Sequence, residues 1–220
     1  MPAPLPSLAT QAAHLVELGL LTDHGTLDPA ALHSAAAELA RRAPEGSLLV
    51  VHPRHLPPSS LAPHLRRQVR TRSGTDERPG FVVVDMPDVD AFAPTGVDEP
   101  TSDVYAVVGP DRGDDLANWS PAEASPEIAG RGRSPLTLAE GLHWVLQDPT
   151  ALERNRCFMT IGSRLRKPDG SFDTRTPAVW ISNGTGRGGI ERRGAAKVGW
   201  CWWGNRHTWL GFASAAARLA

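Results

Sequence analysis

A chain of 220 residues, 40% hydrophobic and 21% charged, is long enough to bury a core and too apolar to be disordered. A formal charge of −1 argues against a strongly basic nucleic-acid binder, and two cysteines are too few for a disulfide framework. The 21 glycines and 20 prolines predict short elements and long loops instead of a helical bundle.

The near-neutral total hides an asymmetry. Residues 1–150 carry 20 acidic and 11 basic residues, whereas residues 151–220 carry 4 acidic and 12 basic. Either the two parts neutralise each other on packing, or the basic part faces an anionic ligand. The opening MPAPLPSLATQAAHLVELGLL has no basic n-region, and its apolar run contains His and Glu. No apolar run approaches the ~20 residues of a membrane helix. The expectation is a cytoplasmic protein with no membrane association.

In chain order, Leu8, Ala12, Leu15 and Val16 have helical spacing, with Ser7 as N-cap and Gly19 as the stop. Asp28 followed by Pro29 opens a second helix to about Arg42. Residues 47–52 (SLLVVH) read as a buried strand, and Ser59 or Ser60 as the cap of a basic helix reaching Arg70. Strands are expected at 81–85 and 103–108, the latter returning as a hairpin through 116–119. Ser120–Glu123 and Thr137–Glu140 both fit a capping box. The second opens a helix ending near Gln147. Strand patterns follow at 157–161, 178–182, 197–203 and 207–213, the last closing the ordered chain. Helices early and strands late, without βαβ alternation or repeats, predict a single α+β domain over 1–220. Its N-terminal helices pack on a mostly antiparallel sheet that ends in a Trp-rich C-terminal β-hairpin.

Arg131-Gly132-Arg133-Ser134-Pro135-Leu136-Thr137, the Cys157–Arg164 block, Pro177–Ser182 and GWCWWGNRHTWLGFAS at 199–214 carry a family likeness. Together they resemble an uncharacterised actinobacterial family, domain of unknown function 5701. The likeness is strongest over about 103–214. It implies a bacterial origin and names no activity; it also implies that the Asn183–Ala196 loop is an insertion.

Five of the seven tryptophans lie between Trp180 and Trp209. A three-residue turn at 204–206 would pair Trp203 with His207 and Cys201 with Trp209. Cys201, Trp203, His207 and Trp209 would then share one face. Such a face is either core or a pocket wall that stacks a planar or cationic group. Cys201 with His207 has the residue types of a thiolate nucleophile and its base, with Asn205 as orienter. A small buried hydrophobe is the competing role for that cysteine. Arg131, Arg133 and Arg164 offer forks for carboxylate or phosphate, or internal ion pairs to the acidic N-terminal part.

His52-x-x-His55 lacks the accompanying ligands of a metal site, so no metal is expected. The glycine-rich 183–189 leads into a strand, so it reads as a hairpin loop and not a phosphate-binding turn. No motif names a cofactor. The expected ligand-binding set is Arg131, Arg133, Arg164, Trp180, Trp203, Asn205, His207 and Trp209. The expected function is that of a small-molecule-binding protein or enzyme taking a small anionic or aromatic ligand. The alternative is a non-catalytic protein-interaction or regulatory module using the same Trp-rich surface. Single-strand nucleic-acid binding needs basic charge beside aromatics, and the total charge disfavours it.

Overall fold

The computed structural model describes residues 4–23, 27–72, 74–185 and 188–220. The first half contains α1 (Leu8–Glu17), α2 (Leu20–Asp23), α3 (Pro29–Ala40), β1 (Leu48–Val51), α4 (Pro58–Leu61), β2 (Arg67–Thr71), β3 (Gly74–Arg78), β4 (Phe81–Val82), β5 (Phe92–Pro94) and β6 (Val104–Val108). The second contains α5 (Pro121–Gly130), β7 (Ser134–Pro135), α6 (Leu138–Gln147), β8 (Cys157–Met159), β9 (Ser163–Leu165), β10 (Arg175–Ile181), β11 (Ala196–Trp202), β12 (Leu210–Phe212), β13 (Ser214–Ala215) and β14 (Ala217–Leu219). The class is α+β.

Helix starts follow local chemistry. Ser7 accepts the Thr10 amide, and Asp28 accepts the Ala30 amide with Pro29 opening α3. The boxes Ser120–Glu123 and Thr137–Glu140 both close reciprocally.

Two sheets carry the architecture. The smaller is antiparallel, with order β1-β6-β14, and the larger runs β12-β8-β10-β11-β4. The inner pairs of the larger sheet are antiparallel, and its two outer pairs, β12–β8 and β11–β4, are parallel. Between the sheets lies α6, buried from Leu138 to Leu146. Gly141 lets it approach the larger sheet: a Cβ there would sit 2.6 Å from Thr160 Cγ2 and 3.1 Å from the Phe158 ring. One turn on, Trp144 stacks on Phe158 at 5.5 Å.

On its other side α6 meets β1, where His143 Nε2 accepts the Val51 amide at 3.2 Å and Nδ1–H donates to Ala139 O. From α1, Gln11 accepts the Leu49 amide and donates to Ser47 O, both at 2.8 Å. These two side chains close the open edge of β1, a position that would otherwise leave amides unpaired.

Glu140 is wholly buried. It accepts the Tyr105 hydroxyl at 3.1 Å and pairs with Arg218 at 2.6 and 2.7 Å. Arg218 also donates to Ser134 Oγ and Pro135 O, so β14 is tied to β7 as well.

Four expectations are corrected. The basic helix ends at Leu61: Pro63 lies in the 3-10 turn Ala62–His64, and residues 67–71 pair instead with 74–78 as an exposed ribbon. No strand returns through 116–119, because β14 takes the free side of β6 and Asp114–Leu116 forms a 3-10 turn. Order does not stop at 213, since β13 and β14 follow. The Trp-rich hairpin is present but is formed by β10 and β11, with Thr176 opposite Cys201 and Trp180 opposite Lys197. The anticipated Trp203–His207 and Cys201–Trp209 pairs do not form. β11 and β12 are separated by β10 and β8, so residues 203–209 cross the sheet instead of turning back.

Two stability predictions follow from the core. Arg218→Met should destabilise the fold by about 3–5 kcal/mol in urea unfolding, because it strands a buried carboxylate. Adding Glu140→Gln should recover part of that loss, and equal stability of single mutant and wild type would contradict the pairing. Burial lowers the His143 pKa from 6.5 to about 4. Its contribution is complete above pH 6.5 and is lost as pH falls toward 4, where only the unfolded chain takes up the proton. The loss amounts to roughly 3 kcal/mol. His143→Gln should flatten that part of the stability–pH curve.

Candidate functional site

The two faces of the larger sheet differ. Register places Val179 and Phe158 on the face toward α6, and Thr176, Ala178, Met159, Trp180 and Lys197 on the opposite face. The 203–209 crossover lies against that second face. It leaves β11 where the Trp203 amide donates to Thr174 O, and it joins β12 where Trp209 O accepts the Cys157 amide. Asn118 and Ala122 anchor it from outside by donating to His207 O and Trp203 O.

Two aromatic groups result. At one end, Trp209 meets Trp180 edge-on at 6.2 Å and His207 at 5.5 Å. Trp180 and Trp209, with Cys157, Arg154, Ser182 and Asn183, line a cavity of about 300 Å³. Trp180 lies across Gly199, where a Cβ would sit 2.5 Å from its indole.

At the other end, Arg164 on β9 is more than nine-tenths buried, its guanidinium 3.8 Å from the Trp203 ring centroid and 5.0 Å from that of Phe172. It donates from Nη2 to Asp173 O at 2.8 Å, while Nε is buried with no acceptor. It forms no ion pair among the described residues, for the Asp173 carboxylate is held by Arg175 at 3.1 Å. Burial lowers its pKa, opposed by the charge of Asp173. Thr176 Oγ1 and His207 Nε2 are also buried without partners. The lowered pKa of His207 has burial as its cause.

Of the expected set, the structure therefore joins Trp180, Trp209 and His207, and separately Arg164 and Trp203. Asn205 is exposed, and its amide closes a turn on Trp202 O. Arg131 is paired with Asp115 at 2.5 Å and Glu127 at 2.9 Å. Arg133 ties Ser214 and Gly109 together through side-chain and carbonyl contacts of 2.7–3.0 Å. Both arginines lie apart from the tryptophans, at a cleft shared with Asp111 and Asp115.

Cys201 makes no hydrogen bond to His207, and burial pushes its thiol up to about 11. Cys157 Sγ donates to Glu153 O, and burial raises its pKa also. His52 and His55 face Glu99 and Asp103. Among the described residues no group of three or more His, Cys, Asp or Glu side chains could hold a metal, and no helix is long and apolar enough to cross a membrane. In the glycine-rich loop, Gly186 and Arg187 lie outside the described residues. Its far end is anchored, with Ala195 and Ala196 buried and Arg78 donating to Arg193 O at 2.6 Å.

Sequence reasoning overlooked Phe172, Arg154, Arg192 and Lys197. Phe172 sits in an irregular polar stretch. Lys197 gave a usable signal, because it and Lys167 are the two lysines of the chain.

The sequence matches the family described as "Family of unknown function (DUF5701)" over residues 14–220. The chain belongs to this family. The match reaches far upstream of residue 103 and takes in α2, α3 and the strands of the smaller sheet together with the Trp-rich end, while most of α1 precedes it. No curated protein and no solved structure matches the chain.

Native protein should resist alkylation. A thiol at about 11 is ionised in roughly one molecule per thousand at pH 8. Both cysteines should therefore react slowly with iodoacetamide until urea unfolds the chain. Rapid native modification of Cys201 would reinstate it as a nucleophile.

Proposed function

We propose that this protein binds a small ligand that combines a carboxylate or phosphate with a planar or apolar part, at Arg164 and the tryptophans of the C-terminal sheet. It does so as a binding protein or as an enzyme. One observation carries the reading: Arg164 is a buried cation stacked between Trp203 and Phe172 with no carboxylate partner. Burying an unpaired charge is costly, and a ligand anion would offset that cost. The flanking rings supply the apolar contact that such a ligand needs. Trp180 and Trp209, at the other end of the crossover, line a cavity of their own.

A non-catalytic protein-interaction surface is the second reading, favoured by the exposure of Trp202 at 46% and Trp119 at 38%. On that reading, Trp202→Ser would be the variant that alters function while Arg164 variants leave it intact.

Calorimetry and thermal shift with benzoate, inorganic phosphate and neutral benzamide test the first reading. Benzoate or phosphate should raise Tm and benzamide should not. Arg164→Gln should weaken anion binding at least tenfold, the loss of about 1.5–3 kcal/mol typical of a charged hydrogen bond. If no anion shifts Tm and Arg164→Met is more stable than wild type, Arg164 is a packing residue and the reading fails.

A further inference from the structure

A separate cavity of about 430 Å³ opens beside β4 and β11, lined by Phe81, Val83, Asp85, Thr185, Arg192 and Lys197 among others. Its volume suits a small metabolite-sized ligand. Two half-buried cations face it, and neither makes an ion pair among the described residues: the Arg192 guanidinium lies 4.5 Å from the Phe81 ring centroid, and Lys197 Nζ lies 5.0 Å from that of Trp180. A structural lysine usually carries its ammonium to water or to a carboxylate. Lys197 makes no carboxylate pair among the described residues; its Nζ stands over the Trp180 ring at the cavity wall, and its register opposite Trp180 puts the side chain on that side of the sheet.

We propose that Lys197 is a nucleophilic amine that forms an imine with the aldehyde or ketone of a small anionic carbonyl compound, whose carboxylate or phosphate is held by Arg192. The neutral amine attacks the carbonyl carbon, the π electrons move to oxygen, and one nitrogen proton passes to that oxygen to give a carbinolamine. The hydroxyl then leaves as water with the second nitrogen proton, and the nitrogen lone pair closes the C=N bond. The step needs no oxidant or reductant and is reversible. Asp85, on the same cavity, is the acid–base group available to move the proton. Burial lowers the Lys197 pKa despite the opposing charge of Asp85, which enlarges the fraction of free amine at neutral pH. This inference is independent of the Arg164 site, which lies on β9 with Phe172 and Trp203.

The chain supplies its own control, since Lys167 is its other lysine and is exposed. Folded full-length protein is treated at neutral pH with pyridoxal 5′-phosphate and cyanoborohydride, and the reduced adducts are mapped by peptide mass. Lys197 should be labelled several times faster than Lys167, with glyoxylate or inorganic phosphate slowing the reaction. Arg192→Gln should reduce Lys197 labelling, and Arg164→Gln should leave it unchanged. Lys197→Arg, checked for cooperative unfolding, should lose the adduct while keeping the fold. Urea-unfolded protein should label both lysines alike. Labelling of Lys167 as fast as Lys197 in the folded protein overturns the nucleophile. Selective Lys197 labelling that ignores Arg192→Gln overturns the anion pocket.

Discussion

The buried carboxylate of Glu140 is the interaction on which the rest of the structure depends. It caps its own helix by accepting the Thr137 amide, and it takes the Tyr105 hydroxyl from β6 and the Arg218 fork from β14. An uncompensated charge at this depth would cost several kcal/mol, so its three kinds of donor must arrive together. That requirement fixes α6 between the two sheets and draws the C-terminal strand back onto the smaller one. His143, three residues further along, adds the edge of β1 to the same helix. The aromatic face of the larger sheet is positioned only because α6 covers the other face.

The charge asymmetry of the sequence resolves along the same lines. Acids of the first part pair with arginines of the second: Asp88 with Arg175, Glu123 with Arg206, and Glu140 with Arg218. Packing against the first part thus neutralises three of the twelve basic residues of the second. It does not account for Arg164, Arg192 and Lys197, which are drawn fully or partly inside with aromatic faces as their neighbours. An aromatic ring can hold a cation without satisfying its hydrogen-bond donors, so Arg164 Nε and the donors of Arg192 and Lys197 remain without an acceptor among the described residues.

Local chemistry was legible in the sequence. The caps at Ser7, Asp28, Ser120 and Thr137 each involve residues within one turn, so spacing alone predicted them. The apolar runs at 48–51 and 104–108 announced buried strands for the same reason. Partner choice was not legible. Nothing in residues 197–213 distinguishes a tight hairpin from a crossover, because the distinction depends on β10 and β8 lying between the two strands. The β2–β3 ribbon escaped notice because both its faces are wet or half-wet, which erases the period-2 pattern. The three arginines picked for anion recognition look alike in sequence, yet Asp115 and Glu127 claim Arg131, backbone carbonyls and Ser214 claim Arg133, and Arg164 is left without a carboxylate.

The crossover also explains why so many tryptophans gather here. A strand pair whose outer face met solvent could alternate apolar and polar residues. This face instead lies under the segment 203–209, whose Trp203, His207 and Trp209 rings must fill the gap, and the missing Cβ at Gly199 makes room for the Trp180 indole. Large flat rings from the crossover and from β10 fill such a space with few rotatable bonds. They fill it imperfectly: a cavity remains beside Trp209, and Thr176 Oγ1 and His207 Nε2 are left without partners. Packing for stability alone would remove those polar atoms, since a valine at 176 keeps the shape of threonine without its hydroxyl. Their presence on the face that also holds Arg164 is what the proposed ligand site rests on, in preference to the exposed Trp202 edge.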